Sequence, residues 1–83
     1  MDVVVTEVRI ADRRYYLADL NGTLSANIRD SVIFRDEATS DIYAAKCERF
    51  FEEQGVLVSC VPVKESLAFL LHGAKRVHLA SES

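Results

Sequence analysis

Two cysteines and two histidines are the residues of this chain best suited to metal binding or nucleophilic chemistry. Cys47 and Cys60 do not form a C-x2-C pair, and Cys47 falls within a helical pattern, on its apolar face. His72 and His78 therefore have no paired-cysteine partner for a zinc site. We expect no bound metal, no cofactor and two reduced thiols, with a disulfide as the alternative.

Other residues with reactive side chains lack the neighbours that catalysis needs. A nucleophile such as Cys60 requires a base and an orienting group, and no spacing in the chain indicates them. Glu52 and Glu53 lie at a helix end, where paired acids face solvent. The three glycines are isolated rather than grouped in a phosphate-binding loop. We expect a protein that is not an enzyme; a small hydrolase or nuclease built around His72 or His78 is the catalytic alternative.

Size, charge and hydropathy restrict the class of protein further. The 83 residues fit one domain, 1–83, with 80–83 as a frayed tail. The net charge of −3 argues against a nucleic-acid binder, which usually shows a basic excess. The amino terminus lacks a leader pattern, and no apolar run approaches the ~20 residues of a membrane helix. These features predict a cytoplasmic protein with no membrane partner.

The first half of the chain reads as short strands joined by turns. Alternation over Val3–Ile10 predicts a half-buried strand, and Arg14–Asp19 is the expected hairpin partner. Asn21-Gly22 marks a tight turn because both residues tolerate positive φ. Thr23–Ala26 and Val32–Phe34 are predicted as further short strands.

One long helix follows. Asp36 is the predicted N-cap, and the helix should run over 37–54 and stop at Gly55. At 100° per residue an apolar stripe forms on one face, and Ile42 projects among charged residues on the opposite face. The stripe consists of Tyr43, Ala44, Cys47, Phe50 and Phe51; the charged residues are Lys46, Arg49, Glu52 and Glu53.

The last third of the chain must complete the core. Val56–Val63 is apolar on both faces, which is typical of a central strand covered on both sides. The helix covers one side, so the segment after Lys64 should cover an edge or the second side. Leu67, Leu70, Leu71 and Ala74 form a helical stripe there. Gly73 could end that helix, leaving 75–79 as an edge strand, or the helix could continue through Val77. The whole pattern predicts an α+β fold: an antiparallel sheet of three to five strands with the 37–54 helix on one face.

Exposed apolar side chains suggest contact surfaces. A small domain that leaves Ile42 and Phe69 in solvent points to an interface. Tyr15 and Tyr16 place one ring on each face of their strand, and tyrosine is favoured at interfaces. The predicted partner-binding residues are Tyr15, Tyr16, Ile42, Arg49, Glu53 and Phe69. For a homodimer, the predicted interface is Leu67, Leu70 and Leu71. For a nucleic-acid accessory protein, the contacts would be Arg13, Arg14, Lys75 and Arg76.

The order of these elements also resembles a known group of proteins. The residues that carry the resemblance are Arg14-Tyr15-Tyr16-Leu17, Asn21-Gly22, Ile28 to Phe34, Glu37-Ala38, Gly55 and Val61-Pro62-Val63. They resemble a pattern in short accessory proteins of phages, prophages and plasmids, some of which are similar to anti-CRISPR inhibitors. Ser31 stands where alanine is common in that pattern. The resemblance implies a non-enzymatic inhibitor or modulator of a host or phage protein complex, acting by steric blockade, and it implies no catalytic residue.

Overall fold

The computed structural model describes residues 2–71 and 79–80. It contains a sheet, one long helix and one short helix, and the predicted α+β class is confirmed. Across those residues, no helix combines the length and the apolar character needed to cross a membrane. The elements are β1 (Asp2–Ile10), β2 (Arg13–Leu17), β3 (Leu24–Ser25), a 3-10 turn (Ile28–Asp30), β4 (Ile33–Phe34), α1 (Glu37–Glu53), β5 (Ser59–Ser66), α2 (Leu67–Leu71) and β6 (Leu79–Ala80).

β1 is the central strand of the sheet. β5 runs antiparallel along one side of it, from the pair Asp2–Ser66 to the pair Arg9–Ser59. The other side is shared, because β2 pairs with residues 7–10 and β4 pairs at Val4. β3 extends the sheet beyond β2, and β6 joins β4 in parallel. The predicted antiparallel order therefore holds except at the two-residue β4–β6 pair.

The alternation of β1 places a core on each face of the sheet. Val4 and Val8 point toward α1 and pack with Phe34, Leu17, Val32 and Cys47. Val3 and Val5 point the other way and pack with Ile33 and Leu70. Of the two predicted positions for the segment after Lys64, an edge or the second face, the structure has the second face, where Leu70 of the short helix α2 supplies the covering side chain.

The strand predicted over Val56–Val63 requires correction. β5 starts three residues later, at Ser59, and lies at an edge of the sheet as far as the described chain extends. Its outer edge is blocked: Pro62 has no N–H, and the N–H of Cys60 donates to Glu48 Oε2 at 3.3 Å. A protected edge of this kind discourages pairing with another strand. The apolar run was misleading because its first residues lie in the preceding loop, where Leu57 is 89% exposed.

The structure tests some of the predictions about the C-terminal residues, and others concern residues that it does not describe. α2 covers Leu67–Leu71, and Leu79 and Ala80 form β6. Ala80 was expected in the frayed tail but pairs with Phe34. Gly73, Ala74 and the stretch 75–77 lie outside the described residues, as do 81–83.

The predicted ends of α1 are confirmed. Asp36 is the N-cap, and its Oδ1 accepts the Thr39 N–H at 2.7 Å. At the other end Gly55 has φ +78°, and its N–H donates to the Glu52 carbonyl at 2.9 Å. The Val56 N–H donates to the Phe51 carbonyl at 2.9 Å, which completes a Schellman motif. These local bonds explain why the helix boundaries could be predicted from sequence.

The N-cap should make stability depend on acid pH. The Thr39 N–H lowers the pKa of the Asp36 carboxyl below its usual 3.8. A carboxyl with a lower pKa in the folded chain stabilises the fold above the unfolded value, and this stabilisation is lost as pH falls through the folded pKa. Asp36→Ala should lower Tm by about 5 °C at neutral pH. Asp36→Asn keeps a hydrogen-bond acceptor and should lower Tm by less than Asp36→Ala. Because an amide does not titrate in this range, the variant should also lack the part of the acid dependence that comes from Asp36. Equal Tm values for all three proteins from pH 7 to pH 3 would contradict the assigned cap.

One polar contact lies inside the α1–sheet interface. Thr6 Oγ1 and Ser40 Oγ are 2.9 Å apart, and both residues are fully buried. Thr6→Val leaves the Ser40 hydroxyl without this partner, and we expect a loss of about 1–3 kcal/mol in the free energy of unfolding. The double variant Thr6→Val/Ser40→Ala removes both groups and should recover part of that loss. Urea unfolding of the two variants tests this; a double variant less stable than Thr6→Val would contradict it.

Candidate functional site

A groove runs between α1 and the turn that follows β2. The turn is held by its own hydrogen bonds: Asp19 Oδ1 accepts the N–H groups of Asn21 at 2.8 Å and Thr23 at 3.1 Å. Gly22 has φ +94°, and a Cβ at this position would lie 3.8 Å from the Phe50 ring. The turn predicted from Asn21-Gly22 therefore stands against the helix and forms one wall of the groove, which we call the α1–turn groove.

The α1–turn groove is small, and polar and apolar surface contribute about equally to its lining. Its volume is about 190 Å³, below the roughly 300–1,000 Å³ typical of small-molecule sites. Leu17 and Cys47 are buried at its base, whereas Leu20 and Phe50 are 47% and 48% exposed at its rim. The lining residues are Leu17, Leu20, Asn21, Gly22, Tyr43, Lys46, Cys47 and Phe50. A groove of this size suits one large side chain better than a whole metabolite.

One cation, Lys46, lies on the wall of the groove, and a second is exposed on the same helix. Lys46 Nζ lies 5.0 Å from the centre of the Tyr43 ring, on the groove wall. Arg49 is exposed on the same helix. In the part of the chain that the structure describes, neither forms a salt bridge, since the ion pairs there join Glu7 to Arg9 and Arg14. The wall of the groove therefore carries one positive charge available to a ligand.

The predicted partner-binding residues divide among different surfaces. Ile42, Arg49 and Glu53 are exposed and follow one line along the outer face of α1, at i, i+7 and i+11. Tyr15 packs with the core beneath α1, and Tyr16 packs with the core on the opposite face. Three of the six thus share a surface next to the groove, and the two tyrosines do not join it.

Phe69, the sixth of these residues, lies on α2, across the sheet from α1. It is 42% exposed, and the guanidinium of Arg29 lies 4.4 Å from the centre of its ring. Arg29 Nε also donates to the Phe69 carbonyl at 3.3 Å. Arg29 thus covers part of the ring and holds α2 against the 3-10 turn.

The predicted dimer interface requires correction. Leu70 is 2% exposed and belongs to the core on the second face of the sheet, with Leu67 half-buried against it. Leu71 is 41% exposed. Leu70 is therefore used inside the monomer and is not available as a dimer contact, whereas the roles of Leu67 and Leu71 in a dimer stay predictions.

The principal groove residues, Phe50 and Leu20, were not among the residues predicted to bind a partner. Phe50 was placed on the core stripe of α1, yet its ring stands at the rim against Gly22. Leu20 was not considered, although a large apolar residue between Asp19 and the Asn21-Gly22 turn is a signal of a contact surface. The missing information was the position of the turn relative to the helix, which depends on long-range packing.

The two cysteines come together between α1 and β5. Both thiols are free, with Cys47 buried and Cys60 half-buried. A hydrogen bond from the Cys60 thiol lowers the pKa of Cys47, and the same bond, together with burial, raises the pKa of Cys60. No group of three or more metal-ligating side chains occurs within 2–71 and 79–80. The arrangement is that of a paired dithiol.

A wider cleft lies at the N-terminal end of α1. Its volume is about 430 Å³, and it is lined by charges of both signs: Asp2, Arg35, Asp36, Glu37 and Lys64, with Val3 and Val4. The Asp36 carboxylate is already engaged as the helix cap. Mixed charges of this kind favour no particular ligand charge.

Comparison with protein-family models, with curated proteins and with solved structures finds no match for this chain.

Proposed function

We propose that this chain is a non-enzymatic protein-binding module that uses the α1–turn groove and the outer face of α1. The observation that carries the proposal is the pair Leu20 and Phe50, each about half exposed at the rim of a preformed groove. Contiguous exposed apolar surface in a small protein usually marks an interface. The groove accepts one apolar or aromatic side chain of the partner as an anchor.

Charge complementarity specifies the partner further. Lys46 lies on the groove wall without a carboxylate partner among the described residues. A partner segment that presents an acidic residue beside its apolar anchor would supply that partner. Such a segment gains encounter rate and orientation from the charges, while the anchor supplies most of the affinity. Ile42 and Glu53 extend the same surface along α1.

The resemblance to short accessory proteins of phages, prophages and plasmids supports a proposal for the biological role. Some short phage and plasmid accessory proteins that this chain resembles are similar in size and character to anti-CRISPR inhibitors, which implies a binder that acts by steric blockade. We therefore propose that the partner belongs to a host or phage protein complex and that binding inhibits or modulates that complex. Steric blockade requires a surface and no reactive group, which agrees with a groove too small for a typical metabolite.

Phe50→Ala should weaken partner binding by about 30-fold or more, the effect expected for an aromatic anchor. Its effect on Tm should be small because the ring is 48% exposed. The matched control is Phe69→Ala, which removes a ring of similar exposure on the opposite face of the sheet and should retain binding. Affinity of the purified variants for the captured partner is measured by calorimetry. If Phe69→Ala lost binding while Phe50→Ala retained it, the interface would lie on the α2 side of the sheet, and the proposal would be contradicted.

The partner is obtained by capture from a bacterial lysate at low and at high salt, with wild type and both variants in parallel. A single stoichiometric protein that survives high salt and is lost with Phe50→Ala supports the proposal. Recovery of the chain alone in a concentration-dependent dimer favours the homodimer. Recovery of nucleic acid that is lost at high salt favours the nucleic-acid alternative through Arg13 and Arg14.

A further inference from the structure

Cys47 and Cys60 are brought together by two separate elements. The register of β5 places Cys60 opposite Val8, on the face of the sheet that α1 covers. The Cys60 N–H donates to Glu48 Oε2 at 3.3 Å, which ties this residue to the turn of α1 that carries Cys47. Cys60 packs against the buried cluster that contains Cys47. Helix and strand thus hold them as neighbours inside the folded protein.

The α1–turn groove gives a route to one of these sulfurs. Cys47 lines the base of the groove, although the residue is only 4% exposed. An oxidant as small as hydrogen peroxide fits a groove of about 190 Å³, whereas a bulky disulfide reagent does not pass the Leu20 and Phe50 rim as easily. Burial and the neighbouring Glu48 carboxylate act to raise the pKa of Cys47, but the hydrogen bond from Cys60 outweighs them and the net shift is downward.

We propose that Cys47 and Cys60 form a peroxide-sensitive dithiol that closes an intramolecular disulfide between α1 and β5. The Cys47 thiolate attacks one oxygen of hydrogen peroxide; the O–O bond breaks, the departing hydroxide takes up a proton, and Cys47 becomes a sulfenic acid. The Cys60 thiol then loses its proton and attacks the Cys47 sulfur, the S–O bond breaks, and a second water leaves. The two thiols lose two electrons in total, and one peroxide is reduced to two waters.

The order of the two cysteines follows from their environments. Cys47 lines the α1–turn groove and Cys60 does not, so peroxide that enters the groove meets the Cys47 sulfur first. A hydrogen bond from Cys60 also lowers the pKa of Cys47, which favours the reactive thiolate. The same hydrogen bond, together with burial, raises the pKa of Cys60, which suits it to act as the second thiol. This inference concerns the thiols alone and does not depend on the proposed binding function.

The test begins with reduced wild-type protein and a few equivalents of hydrogen peroxide. We expect an intact-mass loss of two hydrogen atoms, a single peptide cross-link between Cys47 and Cys60, and full reversal by dithiothreitol. Because the bond would restrict the unfolded chain between residues 47 and 60, Tm should rise by roughly 10 °C. Three results would each overturn the proposal. They are two cysteines that still react with a thiol reagent after peroxide treatment, a disulfide between two chains, and an unchanged or lower Tm.

Single variants test the order of events. In Cys60→Ala, peroxide should leave a sulfenic acid at Cys47 that dimedone captures, whereas Cys47→Ala should give at least ten-fold less capture at Cys60. Cys60→Ser and Cys47→Ser provide a second pair if an alanine variant does not fold, as judged by circular dichroism. Capture at Cys60 that equals or exceeds capture at Cys47 would overturn the assignment of Cys47 as the peroxide-reactive residue.

Discussion

Phe34→Ala should remove most of the stability of this protein. Phe34 is fully buried at the centre of the core beneath α1, and its ring stacks on Tyr43 with centroids 5.6 Å apart. Truncating a buried phenylalanine costs about 3–5 kcal/mol through lost burial and the cavity left behind. Small domains have little stability in reserve, so the variant should melt at least about 12 °C below wild type or be partly unfolded at 25 °C.

Phe50→Ala is the matched control for this substitution. It deletes the same side chain at a site that is 48% exposed, and its Tm should lie within a few degrees of wild type. Urea unfolding and circular dichroism give both values on one scale. Similar losses for Phe34→Ala and Phe50→Ala would mean that Phe50 is a core residue and that the α1–turn groove is not an open surface.

Leu70→Ala should cost about 2–5 kcal/mol in the free energy of unfolding, the range for a buried leucine. Leu70 is 2% exposed and fills the second face of the sheet against Val3, Val5 and Ile33. Without it α2 loses its anchor, and the apolar half of β1 that faces away from α1 becomes accessible to water. The loss should not depend on protein concentration, because Leu70 packs within one chain.

Leu71→Ala provides the control on the next residue. Leu71 is 41% exposed, so its truncation should change the free energy of unfolding by no more than about 0.5 kcal/mol. Unfolding is followed at two concentrations differing by about 100-fold. Two results would instead support a dimer interface at these leucines. One is a loss of unfolding free energy in Leu70→Ala that becomes smaller at high protein concentration, and the other is an equal loss in Leu71→Ala.

Local signals explain which parts of the fold could be predicted from sequence. The bounds of α1 follow from the Asp36 cap and the Gly55 stop, both of which act within one turn of the helix. The hairpin and the turn at Asn21-Gly22 likewise depend on neighbouring residues. The need for a cover on the second face could be inferred because the apolar residues of β1 and β5 exceed what one helix can bury.

Other features depend on contacts between distant residues and escaped prediction. The Val56–Val63 run looks like a central strand, but Pro62 and the Cys60–Glu48 hydrogen bond suit an edge, and the pairing register shifts the strand to Ser59–Ser66. The parallel β4–β6 pair joins residues far apart in sequence. The same holds for the groove, which Leu20 and Phe50 line together only because the turn packs on α1.

The proposed binding surface is the central claim, and site-specific photo-cross-linking tests it most directly. A photoreactive phenylalanine analogue replaces Phe50 in one protein and Phe69 in a second, and each is irradiated in a bacterial lysate. We expect the analogue at position 50 to form one dominant adduct with a foreign protein, and the analogue at position 69 to give little of it. An adduct formed only from position 69, or adducts from position 50 that join two copies of this chain, would contradict a protein-binding role for the α1–turn groove.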